Sequence, residues 1–208
     1  MPRVCPQCGE WCEEEPVDIS KPAIICTFCR YAEPFLQLPL FILTGASGAG
    51  KTTLSRQLPA VLPECVTLDT DMLWGVLPAT QEKDYSDYHN LWLHIAKNIA
   101  QNGRPLVLCG TAHPEQIENC PQRRYFSTVY YLALVCDSKM LVERLKQRPA
   151  WRQSATPEVL ARMVDFNRWL QEHASSTLPP MTLYDTTQRT VEETIADAVT
   201  WVREKLDR

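Results

Sequence analysis

The run Gly45-Ala-Ser-Gly-Ala-Gly-Lys-Thr-Thr53 limits what this chain can fold into more than any other stretch. It follows the spacing Gly, four residues, Gly-Lys-Thr. Upstream, Pro39 to Thr44 is an apolar run that reads as a buried strand, and Lys51 to Leu62 reads as a helix. A glycine-rich turn between a strand and a helix can wrap its N–H groups around an anion, with the helix dipole aimed at the same point. Gly45, Ala46, Ser47, Gly48, Ala49 and Gly50 are therefore candidates to hold phosphates through the main chain, with Thr53 at the start of the helix. In such a loop Lys51 neutralises the β- and γ-phosphates and the Thr52 hydroxyl holds Mg²⁺. Three of the seven glycines in the chain lie here, which argues against an ordinary turn.

A length of 208 residues suits one full domain and a small appendage. The net charge of −4 gives no electrostatic footprint for duplex nucleic acid. No secretory signal is evident, and no apolar run approaches the roughly 18 residues of a membrane span. A cytoplasmic protein without membrane contact is expected.

Five of the nine cysteines lie in the first 29 residues. Cys5-Pro-Gln-Cys8 and Cys26-Thr-Phe-Cys29 are two C-x-x-C pairs separated by 17 residues, the spacing of a four-thiolate zinc site. Over about 35 residues this module resembles the zinc-ribbon or rubredoxin-knuckle family. A redox dithiol is the other reading, and Cys12 adds a fifth thiol to the ligand question. So small a module buries little core, so zinc would supply its folding energy and, with four thiolates, no chemistry. Residues 1–36 form this module and 37–208 the main domain, with Pro34 to Pro39 as linker. Arg3, Lys21 and Arg30 are the module's only basic residues, beside Glu10 and Glu13 to Glu15; that disfavours nucleic acid and permits a protein contact. Cys109 and Cys136 read as buried thiols in strands.

The main domain alternates strands and helices. Strands are expected at 65–69, 105–109, 128–136 and 181–185. Asp84 or Ser86 caps a helix to about Gln101 with the stripe Leu91, Trp92, Ile95, Ile99 and Ala100. Gly103 suits its stop. Further helices are expected at 138–147, at 157–173 behind the cap Thr156, and from a capping box at Thr190 and Glu193, with the stripe Val191, Ile195, Val199, Val202 and Leu206. This order implies a five-stranded parallel sheet covered on both faces, with the ligand at the strands' carboxyl ends.

Asp69-Thr-Asp71 ends the second strand on the loop's edge. One carboxylate can serve Mg²⁺ while the other takes a proton from an attacking hydroxyl; a solvated pair capping the next helix is the alternative. With the phosphate loop and Leu68-Asp-Thr-Asp71, the chain from about Leu38 on resembles the small P-loop kinases: shikimate, gluconate, adenylylsulfate and nucleoside or nucleotide kinases. The resemblance implies a three-layer P-loop NTPase fold, ATP as donor and a small-molecule acceptor. It implies Asp71 as catalytic base or acceptor ligand and Asp69 as the Mg²⁺-linked residue. It also implies a lid at about 148–157, in which Arg148 and Arg152 meet the phosphates while Arg144 lies on the adenine side. A solvated basic helix end is the plainer reading of those arginines. Gly110-Thr-Ala-His113 carries no acidic residue where the kinases can have one; His113 is an acceptor contact or a turn residue. The loop at Asp185 to Thr187 is expected beside adenine. Trp74, Tyr85, Tyr88, His89 and Trp92 lie where such kinases build the acceptor site, although Tyr88 and Trp92 also fit a core stripe. The competing function is a zinc-ribbon adaptor with an ATP-binding switch or a nucleic-acid-end-processing role. A GTPase lacks its Asn-Lys-x-Asp signature here, and a large ring ATPase is disfavoured by length.

Overall fold

The computed structural model describes residues 4–12, 16–73 and 85–207. Three short strands, β1 (Val17–Asp18), β2 (Ala23–Ile25) and β3 (Ala32–Pro34), form an antiparallel sheet next to the cysteine pairs. The main domain runs β4 (Leu40–Gly45), α1 (Lys51–Val61), β5 (Val66–Asp69), α2 (Ser86–Ala100), β6 (Leu106–Cys109) and α3 (Pro114–Glu118). It continues with β7 (Val129–Val135), α4 (Ser138–Lys146), α5 (Pro157–His173), β8 (Thr182–Asp185) and α6 (Val191–Leu206).

The five strands of this domain are all parallel, in the order β5-β6-β4-β7-β8. Alternation along the strands divides the core in two. Leu40 and Ile42 of β4 and Leu106 and Leu108 of β6 join one cluster with α2 and Leu170 of α5; Phe41, Leu43 and Val107 join another with α1 and α6. Both faces are covered, and all four β6 residues are buried. This is the three-layer P-loop NTPase fold. Side chains fix the helix starts where the sequence suggests: Asp137 accepts from the N–H of Lys139 and Met140, and Thr190 and Glu193 close a capping box.

Several expectations change. Tyr85, in a left-handed conformation, precedes α2 without a side-chain cap; Ser86 is its first residue and Asp84 lies outside the described residues. The buried arc of α2 adds Leu93, Ala96 and Lys97 to the expected Trp92 and Ala100, because α3 and the turn at 121–125 cover the helix as well as the sheet. Lys97 is buried over the Tyr125 ring, 3.9 Å from its centroid. On α6, Val191 is exposed while Ala198 and Trp201 are buried. The stretch 34–39 is a packed seam: Phe35 is buried with its ring 5.3 Å from that of Tyr125, and the Gln101 amide pairs with both main-chain groups of Leu36 at 2.8 and 3.2 Å. Ile24 joins the same cluster, so the cysteine module shares the core of the main domain.

Candidate active site

The phosphate loop is shaped by its glycines. Gly45, Gly48 and Gly50 have φ of 150°, 94° and 115°, a region that penalises side chains. A Cβ on Gly45 would also lie 2.5 Å from the Leu134 carbonyl of β7. Ala46 and Ala49 are fully buried.

Lys51 opens α1 and folds back, its Nζ donating to the carbonyls of Gly45 (2.7 Å) and Ala46 (3.1 Å). Burial draws its pKa from 10.5 down to about 8; Asp71 and Asp69 oppose that shift and Arg148 adds to it. Its partners are main-chain oxygens and nearby carboxylates, which leaves the cation suited to polyanionic phosphates.

Asp69 and Asp71 stand beside it on different footings. Asp69 ends β5; its Oδ2 accepts from Ser55 Oγ at 3.0 Å and its Oδ1 from the Asp71 N–H at 3.0 Å. Ser55 Oγ is also 3.0 Å from the Thr52 carbonyl, so its one proton is shared between two acceptors. Asp71 lies in the turn Thr70–Leu73, exposed, and the Tyr88 hydroxyl donates to the neighbouring Thr70 carbonyl. Gly110, after β6, lets this turn approach: a Cβ there would lie 1.9 Å from Thr70 Oγ1. Thr111 Oγ1 donates to the Gly45 carbonyl at 3.3 Å.

Lys51, Asp69 and Asp71 line one cavity of about 150 Å³ with Thr52, Thr111 and the arginines 144, 148 and 152. All the charged residues anticipated for the site therefore meet there. Burial pulls the Arg148 pKa down and Arg152 adds to it, while Asp71 opposes. Arg144 reaches the Gly48 carbonyl and Thr186 Oγ1, both at 3.4 Å. It also borders a second cavity of about 210 Å³ between the loop and the stretch 186–194, lined by Thr53, Thr186, Arg189 and Thr194. Arg144 lines both cavities.

Other candidates sit apart. Asp185 caps its own turn, accepting from Thr187 N at 2.8 Å. His113 precedes α3 half-buried, its ring 5.8 Å from Trp169, and burial lowers its pKa. Tyr88, His89 and Trp92 are buried, which favours the core reading. Trp74 lies outside the described residues. Ser55, Thr111 and Arg189 were not anticipated. Ser55 follows Lys51 by four residues and so shares its helix face, but its acceptor Asp69 lies on β5, which no local spacing signals.

In the N-terminal module the sulfurs of Cys5, Cys8, Cys26 and Cys29 lie within 4.8 Å of one another. Cys5 and Cys29 are 3.7 Å apart, Cys8 and Cys26 3.8 Å. A tetrahedron with Zn–S bonds of about 2.3 Å has edges of about 3.8 Å, so the set fits zinc. Cys12 lies outside the set of four, buried, with its sulfur 3.7 Å from that of Cys26.

Fold and site together define a nucleotide-binding α/β protein built on a phosphate loop. The AAA domain family profile matches residues 40–173, and the chain belongs to that family. Small kinases are among its structural neighbours. A candidate kinase from Chloroflexus aurantiacus superposes with a TM-score of 0.56 at 23% identity, covering 81% of this chain and 98% of its own. A Sinorhizobium meliloti gluconokinase gives 0.55 at 14% identity, covering 82% and 95%. A Bacteroides thetaiotaomicron shikimate kinase gives 0.52 at 19% identity, covering 82% and 99%. At these identities the likeness establishes the fold. No curated protein matches the sequence. Among the described residues no helix is long and apolar enough to cross a membrane.

Proposed function

We propose that the chain is an ATP- and Mg²⁺-dependent phosphotransferase that phosphorylates a hydroxyl of a small acceptor. The observation that carries this reading is one cavity lined by Lys51, an exposed Asp71, Arg148 and Arg152. Nucleotide binding alone needs the loop and Lys51; a carboxylate opposite them adds a place to receive a proton.

The loop N–H groups and Lys51 bind the β- and γ-phosphates. Asp71 orients the acceptor hydroxyl and takes its proton as the new oxygen–phosphorus bond forms and the bond to the β-phosphate oxygen breaks. Arg148 and Arg152 offset the charge on the transferring group and exclude water from it. Thr52 and Asp69 would hold Mg²⁺, Asp69 steadied by Ser55 and the Asp71 N–H. That ion supplies charge neutralisation on the phosphates. Arg144 and the cavity at 186–194 receive the base. The four cysteines 5, 8, 26 and 29 hold a structural zinc ion. The neighbours' names, gluconokinase and shikimate kinase, support testing small hydroxy compounds first.

The test is a product screen by phosphorus NMR across sugars, hydroxy acids, nucleosides and nucleotides, with Lys51→Ala as blank. A phosphorylated acceptor made by the wild type alone is expected. ATP hydrolysis that ignores every acceptor would instead support the switch reading.

A further inference from the structure

The charged groups of the main cavity come from two sides. Lys51 opens the helix behind the phosphate loop, and Arg144, Arg148 and Arg152 come from α4 and the stretch that follows it. Asp69 and Asp71 come from β5 and the turn after it. Together these groups place a net charge of +2 around about 150 Å³. The cations lie close enough to oppose one another: Arg148 helps to lower the pKa of Lys51, and Arg152 that of Arg148. Arg144 reaches back to the Gly48 carbonyl and to Thr186, which holds it on the loop's side. A nucleoside triphosphate with its divalent ion carries a charge of about −2 near neutral pH. The donor alone therefore matches the positive charge of the lining.

The segments around Asp71 add no cation among the described residues. Gly110 packs against Thr70, and the Tyr88 hydroxyl ties the start of α2 to the Thr70 carbonyl. In the turn Thr70–Leu73, in the stretch 85–90 and in the stretch 110–116, the charged residues are Asp71, Asp87 and Glu115. Burial draws the His113 pKa below its usual 6.5, so its ring is uncharged near pH 7.

We propose that the acceptor is an uncharged hydroxyl compound, a sugar, polyol or nucleoside, and that the cavity discriminates against acceptors bearing a carboxylate or phosphate. This deepens the phosphotransferase reading and rests on it. An anionic acceptor beside the donor would turn the site net negative, with the Asp71 carboxylate as its neighbour and no further cation to answer it. An uncharged hydroxyl compound meets no such repulsion, and its hydroxyl donates to Asp71. Transfer then conserves the balance. The acceptor oxygen bonds to the γ-phosphorus, the bond to the β-phosphate oxygen breaks, and the hydroxyl proton passes to Asp71, so the total charge inside the cavity does not change.

Acceptor pairs that keep the reacting hydroxyls and differ in charge test this on the wild-type protein. Gluconate is set beside gluconamide, glucuronate beside glucuronamide, and nucleoside 5′-phosphates beside nucleosides; the amides keep the shape of the acids. The readouts are kcat/KM for phosphorylation and calorimetric binding of each compound to protein loaded with Mg²⁺ and a non-hydrolysable ATP analogue. The uncharged member of a pair is expected to exceed the anionic one in kcat/KM by about tenfold or more and to bind more tightly. An acid or phosphate ester that matches or exceeds its uncharged partner in either readout overturns the proposal while the phosphotransferase reading stands. Failure of the wild type to phosphorylate any acceptor, charged or uncharged, overturns that reading and the proposal with it.

Discussion

Lys51 is half-buried in the free chain, and that burial penalises its charge. Its folded pKa of about 8 lies below the unfolded value near 10.5. Between those values the unfolded chain binds more protons, so stability rises with pH across that window. Near pH 7, Lys51→Met is expected to stabilise the free protein by about 1–3 kcal/mol, the two carbonyl bonds offsetting part of the burial penalty. That advantage shrinks from pH 8 towards 10.5, and the variant loses the rise in Tm that ATP with Mg²⁺ gives the wild type. Melting both proteins across this range checks the sign; equal destabilisation at every pH would contradict it. Ser55 acts through Asp69. Ser55→Ala removes the hydroxyl on Oδ2, and the Mg²⁺ concentration giving half-maximal rate is expected to rise about tenfold with little change in Tm. A titration of rate against Mg²⁺ reads this directly.

The elements place these residues by bringing strand ends together, and one glycine governs how close two of them come. Gly110→Ala would set a Cβ 1.9 Å from Thr70 Oγ1 and push the Asp71 turn outward. At least a tenfold loss of kcat is expected, with a retained circular dichroism spectrum. Much of this level was legible in the sequence. Five apolar runs between helical stretches gave the parallel sheet, and the phosphate loop, the Asp69–Asp71 pair and the three arginines meet in one cavity. What was not legible depends on contacts distant in sequence. Trp92 and Ala100 of the expected α2 stripe are buried, and Ile95 and Ile99 pack against the same core. Leu93, Ala96 and Lys97 were missed because α3 and the turn at 121–125 bury a second side of the helix, and a five-residue helix such as α3 shows no period to detect. Phe35 looked like linker because its partner, Tyr125, lies 90 residues on. Ser55 was overlooked because its acceptor, Asp69, sits at the end of β5 and outside its own helix.

At the scale of the whole molecule, the cysteine module and the main domain are joined through Phe35, Leu36 and Ile24, but they draw stability from different sources. The module has three short strands and a cluster of four cysteines; the main domain has two extended apolar cores. A chelator is therefore expected to release the module's metal and unfold residues 4–34 first, leaving the sheet protected in hydrogen exchange. Simultaneous loss of protection in β4 and β7 would show that the two melt as one. The central claim, however, concerns the main cavity, where Asp71 faces the phosphate loop. The most direct measurement is ADP release with and without an acceptor found in the screen, wild type beside Asp71→Asn. The account predicts that acceptor raises the wild-type rate with one phosphorylated product per ADP, and that Asp71→Asn lowers kcat by about 10²–10⁴ while ATP affinity holds. An Asp71→Asn protein that turns over at the wild-type rate would contradict it.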